Sequence, residues 1–325
     1  MFSLKLRMSL LVIILFGILY AIASLIMYYS GISGFLPQIL LAFGMIFVQY
    51  LIGPKIVEMS MQVKYVKREE APWLFEMVED LARKANIPTP RIGISYINIP
   101  NAFAFGRSAK DGRVCVTKGI MDLLDKEELK AVLGHELTHL KNKDVIFITL
   151  LSVIPLILYY IFYRFTFFGS YSRRREGGGN YAALIGIAAF FFYLITNLLV
   201  LYASRIREYF ADKGSIKLGN SPSVMATALY KLVYGAAKTP KENLKEVEGV
   251  RAFFVNDVST ARRDISDLAE LDIDKSGTID AYELRSLAEK NIKLSFADKA
   301  MEIFSTHPNM LKRIKQLSQY TQGQA

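Results

Sequence analysis

The sequence predicts a mostly helical α+β chain held in a membrane, and three features lead there. No charged side chain occurs between Met8 and Pro54, and two more charge-free runs follow at Val145–Tyr163 and Tyr181–Ser204. An apolar run of roughly 18 or more residues is long enough to cross the hydrocarbon core as a helix. The remaining segments, Ser60–Lys143 and Arg205–Ala325, mix charged, polar and apolar residues. At roughly 200 residues together they can bury a core in water. Within them short strand-like runs and longer helical stripes both occur, which makes the water-facing part α+β. Across 325 residues, 52% hydrophobic content and a mean hydropathy of +0.25 stand above the usual soluble range, and the long apolar runs exclude a wholly soluble or disordered chain. A single cysteine, Cys115, excludes a disulfide scaffold.

The first segment, 1–58, is expected to be a transmembrane hairpin. Gly31–Ile32–Ser33–Gly34 divides it into Met8–Ser30 and Phe35–Gly53, with Pro37 suited to the start of the second helix. Lys5 and Arg7 followed by Ala21–Ile22–Ala23 imitate a signal peptide, but the apolar run continues well past that cleavage pattern. In segment 59–144, Pro72 opens an amphipathic helix through Ala85 carrying Trp73, Leu74, Met77, Val78 and Leu81. Arg91–Tyr96 and Arg113–Val116 read as short strands on either side of Asn101–Gly106. Asp125, with Glu128 three positions on, is the pattern of a capped helix start. Leu129, Val132, Leu133, Leu137 and Leu140 then mark one helical stripe. Segment 145–204 is expected to be a second hydrophobic hairpin, joined through Ser170–Asn180, a linker with Arg173–Arg175 and three consecutive glycines. Segment 205–325 reads as mostly helical.

The capped helix carries His135–Glu136–Leu137–Thr138–His139. Histidines four apart share a helix face, so both imidazoles can reach one Zn²⁺, and the intervening Glu136 lies where it can take a proton from metal-bound water. Two of the chain's three histidines are used here. A catalytic zinc site needs a third protein ligand and an open position. With only His307 left, a carboxylate is the better candidate.

The His135–His139 motif flanked by hydrophobic runs, together with Arg207–Glu208–Tyr209–Phe210–Ala211–Asp212, resembles the HtpX family of membrane zinc endopeptidases, relatives of the CAAX prenyl-protein proteases. Asn101–Ala102–Phe103–Ala104–Phe105–Gly106, His307–Pro308 and Arg313–Ile314 are similar to further family motifs. The resemblance implies a zincin-like catalytic domain, with transmembrane helices before it and between its zinc-ligand motifs. It makes Glu208 the third zinc ligand and places Asp212, one turn on, against the free nitrogen of a ligating histidine. It puts His307 near the active site, where it would stabilise the oxyanion, with help from Arg313. Asn101–Gly106 would be the edge strand to which an extended substrate adds by main-chain hydrogen bonds. An ordinary strand with Phe103 and Phe105 packed on one face fits the same residues. Polypeptides, above all misfolded or damaged membrane proteins, are the substrates that the resemblance implies.

A second motif lies outside that family pattern. Asp272–Glu283 fits a 12-residue EF-hand loop: Asp272, Asp274 and Ser276 at positions one, three and five, Gly277 at six, Thr278 at seven, Asp280 at nine and Glu283 at twelve. Ala261–Leu271 and Tyr282–Lys290 can supply the flanking helices. EF-hands commonly work in pairs and only one occurs here, so a polar turn that binds nothing is the competing reading. Calcium binding is the expectation because seven positions agree with the ligand pattern.

The net charge of +10 follows the membrane. Lys5, Arg7, Lys55, Lys64, Lys67, Arg68, Lys141, Lys143, Arg205 and Arg207 lie near ends of apolar runs, which favours a multi-pass plasma-membrane protein with a cytoplasmic catalytic domain. Arg164 and Arg173–Arg175 would then lie in the opposite loop, so partial insertion of the 145–204 hairpin is the alternative to a full crossing. No basic helix with interleaved aromatics suggests nucleic acid. The expected function is a membrane zinc endopeptidase. The alternatives are a protease of prenylated C-terminal peptides and a non-catalytic, calcium-responsive scaffold, against which the intact Glu136 argues.

Overall fold

The computed structural model describes residues 50–163, 179–238, 270–289 and 296–321, with Phe47, Phe165 and Leu268. The expected hairpin Met8–Ser30/Phe35–Gly53 lies almost wholly outside them, as do Arg173–Arg175 and most of the segment before the EF-hand-like loop. The chain divides into two compact units, one joining Ile52–Val145 to Arg205–Ala325 and the other including Ile146–Ser204.

The first unit holds a four-stranded sheet in the order β1 (Val63–Tyr65), β2 (Arg91–Ser95), β4 (Arg113–Thr117), β3 (Ala102–Phe105). β2 and β4 run parallel with Gly93 opposite Cys115, while β1 and β3 flank them antiparallel. β3 is therefore an edge, with Phe103 opposite Cys115. It stops at Gly106, whose φ of +148° suits glycine and whose added Cβ would lie 2.3 Å from the Asp111 carbonyl oxygen. The three-residue β1 is too short to show a period-two pattern, so it went unpredicted.

Helix α1 (Pro72–Ala85) starts on Pro72 as expected and ends on Asn86 in the left-handed region, φ 56°. It buries Leu74, Val78 and Leu81. A six-residue helix, α2 (Lys118–Leu123), follows β4 behind a Thr117 cap. Next comes α3 (Lys126–Lys141), which begins with the reciprocal Asp125–Glu128 capping box. Every residue from Ala131 to Thr138 is buried, so α3 is a central helix, packed against α1, β3 and α6 (Pro222–Lys238). Glu128 also accepts a 2.6 Å bond from Lys231 of α6.

Helix α4 (Asp144–Tyr163) follows after one turn, and α5 (Gly179–Lys217) continues without a break through Ser204 to the segment carrying Glu208 and Asp212. Among the described residues, Leu184–Lys217 is long and apolar enough to cross a membrane. In the second unit Leu151, Ile154 and Leu158 of α4 form a small core with Val200 and Ala203 of α5. The C-terminal part adds α7 (Ala281–Glu289), α8 (Phe296–Ile303) and α9 (Met310–Ser318), the last burying Ile314 and Leu317.

Candidate metal centre

Two helices cross at very short range to make the site. A Cβ on Gly134 of α3 would lie 2.5 Å from Asn220 Nδ2, and one on Gly214 of α5 only 2.2 Å from Thr138 Cγ2. The Ser215 hydroxyl donates to the Ala131 carbonyl at 2.6 Å across the same crossing. With nothing larger than hydrogen at these two positions, the backbones approach closely enough for His135 and His139 to meet Glu208 and Asp212.

His135 Nε2 and His139 Nε2 are 3.1 Å apart. Glu208 Oε2 lies 3.5 Å from the first, and Glu208 Oε1 3.5 Å from the second. Zinc bonds of about 2.0–2.1 Å in a tetrahedron separate ligand atoms by about 3.3 Å, so this triad has the right span. Glu208 Oε2 is buried without a hydrogen-bond partner, an orphaned acceptor of the kind a cation satisfies. The charges agree. With both histidines neutral, as ligation requires, the ionised buried carboxylates Glu136, Asp144, Glu208 and Asp212 outnumber the guanidiniums of Arg207 and Arg313 by two.

Each histidine turns its other nitrogen to an aspartate. His135 Nδ1 is 2.8 Å from Asp212 Oδ1, and His139 Nδ1 is 2.6 Å from Asp144 Oδ2. Burial pushes the His135 imidazole down, but hydrogen bonds and charge from Asp212 and Glu208 outweigh it and hold it at about 9. The pocket thus favours positive charge at this position. Arg313, fully buried, grips Asp212 through Nε at 2.9 Å and Nη2 at 2.7 Å and lies 3.3 Å from Glu208. That engagement makes it a brace for the carboxylates.

Glu136 is buried and accepts the Ala104 N–H at 2.9 Å. Burial pushes its carboxyl up, while His135 and His139 pull it back. The bond to Ala104 brings the β3 edge to the site. Asn101, Ala102, Phe103 and Phe105 are buried, and the two Phe rings stack at 5.8 Å. The side chains of this segment therefore serve the core, and the strand's main chain is what it can offer a substrate. Glycine at 106 ends that strand. His307 sits with Nδ1 3.3 Å from Glu208 Oε2, and both of its ring nitrogens are buried and unbonded.

A model of Peptidase family M48 matches residues 68–321. The chain belongs to that family. It is HtpX-type: 54% identical over 231 residues to a "Protease HtpX homolog" of Methanothermobacter thermautotrophicus, covering 71% of this chain and 86% of the relative. A "Protease HtpX homolog" of Moorella thermoacetica is 33% identical and covers 96% of this chain and 93% of its own length. The crystal structure of S. mikatae Ste24p aligns over 98% of this chain and 67% of that one, at a TM-score of 0.49 and 14% identity. Family membership makes this M48 chain a metalloprotease acting on polypeptides, and His135, His139 and Glu208 form a group that could hold its metal.

The EF-hand-like loop brings Asp272, Asp274 and Glu283 oxygens within 4.8 Å of one another. Gly277 has φ +82°. Asp280 instead accepts the Glu283 N–H at 2.7 Å, and the Ser276 and Thr278 hydroxyls bond to each other at 2.8 Å. Sequence reading passed over Asp144, Gly134 and Gly214. Asp144 falls one residue beyond the turn after α3, where no periodicity marks it. The two glycines sit in helices, where glycine carries no ligand signal.

Proposed function

We propose that this M48 chain is a membrane zinc endopeptidase in which His135, His139 and Glu208 hold one Zn²⁺. The buried Glu208 carboxylate carries the reading, with Oε2 3.5 Å from His135 Nε2 and Oε1 3.5 Å from His139 Nε2. Zinc bound there supplies a Lewis acid that polarises the scissile carbonyl and makes a coordinated water acidic. Glu136 takes the proton as the water oxygen bonds to the carbonyl carbon, then returns it to the leaving amine as the C–N bond breaks. The neighbouring His307 donates to the oxyanion. Substrate pairs with the β3 edge, displacing the Ala104–Glu136 bond so that the carboxylate is free when peptide is in place. Misfolded or damaged membrane proteins are the substrate class. Glu136→Gln is expected to abolish hydrolysis of a casein-type substrate while one zinc per chain remains, because it removes the base and no ligand. Glu208→Ala should lose both zinc and activity. Normal turnover by Glu136→Gln would overturn the assignment.

The proposed topology is multi-pass, with hairpins 1–58 and 145–204 crossing and catalytic segments 59–144 and 205–325 on the cytoplasmic face. Basic residues at both flanks support it. The loop Asp272–Glu283 is proposed as a weak Ca²⁺ site, supported by its motif and by the grouping of three carboxylates. Thr227 of α6 bonds both the N–H and the carbonyl of Ile279, at 2.9 and 3.0 Å. That hydroxyl occupies the main-chain groups at loop position eight and supports a loop that stands alone.

A further inference from the structure

The geometry points to Asp144 as the residue that positions the second histidine ligand, with Arg207 as its counter-charge. This rests on the zinc reading above. His139 Nε2 faces His135 and Glu208, so it is the nitrogen that ligates, and it can do so only if Nδ1 carries the ring proton. Asp144 Oδ2, 2.6 Å from Nδ1, accepts that proton in a hydrogen bond. It thereby fixes the tautomer, sets the ring plane and makes Nε2 a stronger donor. Asp144 is 5% exposed, and a buried carboxylate needs a partner charge. Arg207 Nε stands 3.3 Å away and has no hydrogen bond of its own, so it acts here as a charge.

The turn between α3 and α4 delivers Asp144 to this place at a cost. Lys143 has φ +58°, a left-handed conformation that disfavours a residue with a side chain by roughly 1 kcal/mol or more. Through that turn the first residue of α4 returns to a histidine five positions back. The result parallels His135, whose Asp212 is held by Arg313. Each histidine has its own aspartate and each aspartate its own arginine. The two pairs differ in address. Asp144 immediately precedes the charge-free run Val145–Tyr163, and Arg207 follows the run ending at Ser204. The pair joins the ends of the hydrophobic hairpin at the metal ligand itself.

The test uses full-length protein in detergent. Zinc affinity is measured by competition with a chromophoric chelator, and the visible spectrum is recorded after Co²⁺ replaces zinc. Asp144→Ala should weaken zinc about 10–100-fold and shift the cobalt bands. Asp144→Asn, which can still accept from Nδ1–H, should recover part of both. Arg207→Gln should weaken zinc less than Asp144→Ala, since the His139–Asp144 bond survives. Circular dichroism identifies any variant that fails to fold, and the Arg207→Gln and Asp144→Asn pair then decides. Wild-type affinity and spectrum in Asp144→Ala would overturn the positioning role alone. A wild-type chain that takes no zinc would overturn the metal reading, and this role with it.

Discussion

Arg313 shows how much one side chain can hold in place. It is wholly buried and binds Asp212 in two places while lying close to Glu208. Removing it strands two buried carboxylates. Arg313→Met is expected to cost about 3–5 kcal/mol of stability, read from denaturant melts of metal-free protein. Arg313→Lys should rescue little, because a single ammonium cannot reproduce the two-point grip. At the far end of β4, Asp111 behaves differently. Burial pushes its carboxyl up, but hydrogen bonds from Arg107 and Arg113 and the Arg113 charge outweigh this and hold it down at about 2. A depressed carboxylate stabilises the fold above its unfolded value and loses that contribution as the pH falls through the folded one. The effect should therefore fade between about pH 4 and 2, by no more than about 1 kcal/mol after solvent screening. Asp111→Asn should remove that pH dependence in melts at pH 5 and pH 3, and an identical slope in the variant would show that Asp111 is not its source. At this scale the sequence was legible wherever chemistry is written in short spacing. His135, Glu136 and His139 lie on one helix turn, and Glu208 and Asp212 on another. Asp144 and Arg207 were not legible as a pair, since they lie far apart in sequence and meet only once α4 and α5 are folded.

The α3–α5 crossing is set by two missing side chains. Gly214→Ala would place its Cβ 2.2 Å from Thr138 Cγ2 and 2.8 Å from Thr138 Cβ. The helices must then part, and an overpacked buried contact costs about 1–3 kcal/mol. Because Glu208 and Asp212 ride on α5, zinc affinity should fall as well. Adding Thr138→Ala removes the 2.2 Å contact but leaves the 2.8 Å one, so partial recovery is expected. Full zinc affinity in Gly214→Ala alone would show that the crossing is looser than these distances. Helices with a clear start or stripe, α1 and α3, were readable because Pro72 and the Asp125–Glu128 pair announce them locally. β1 and α2 were not, being too short for any period to appear. The element carrying the EF-hand-like loop yields another measurable consequence. Tyr230 donates to Asp272 and Thr227 holds Ile279, so α6 supports the loop at positions one and eight. Calcium should bind with a dissociation constant of roughly 10⁻⁵–10⁻³ M and raise the thermal midpoint. Glu283→Gln should remove that shift without releasing zinc. Thr227→Val, which leaves every carboxylate in place, should weaken it. The absence of heat and of a thermal shift at millimolar calcium would make the loop a polar turn.

On the scale of the whole molecule, α5 is the decisive element, because a single uninterrupted helix carries both the apolar stretch and the third candidate ligand. Glu208 follows Ser204 by four residues, roughly 6 Å of helical rise. His135 and His139 precede the apolar runs of 145–204 and Glu208 follows them, so the proposed topology keeps both halves of the site on one side only with an even number of crossings between them. Two charge patterns then compete. Lys141, Lys143, Arg205 and Arg207 favour the cytoplasm for the site, whereas Arg164 and Arg173–Arg175 disfavour export of the loop between the runs. Thiol labelling separates them cleanly, because the native Cys115 is buried and burial raises its thiol's pKa, which suppresses the reactive thiolate. Asn220 is a poor reporter, since it is buried against Ser215. Glu127 and Lys217 are exposed and report the catalytic unit instead. With two crossing hairpins, Ser33→Cys and Gly178→Cys should react with an impermeant reagent from outside intact cells. Glu127→Cys and Lys217→Cys should react only after the membrane is opened. If Gly178→Cys stays silent from outside while Ser33→Cys reacts, the arginine-rich loop has remained on the cytoplasmic side. The second hairpin would then dip into the bilayer without crossing it. Labelling of Glu127→Cys from outside would reverse the orientation altogether.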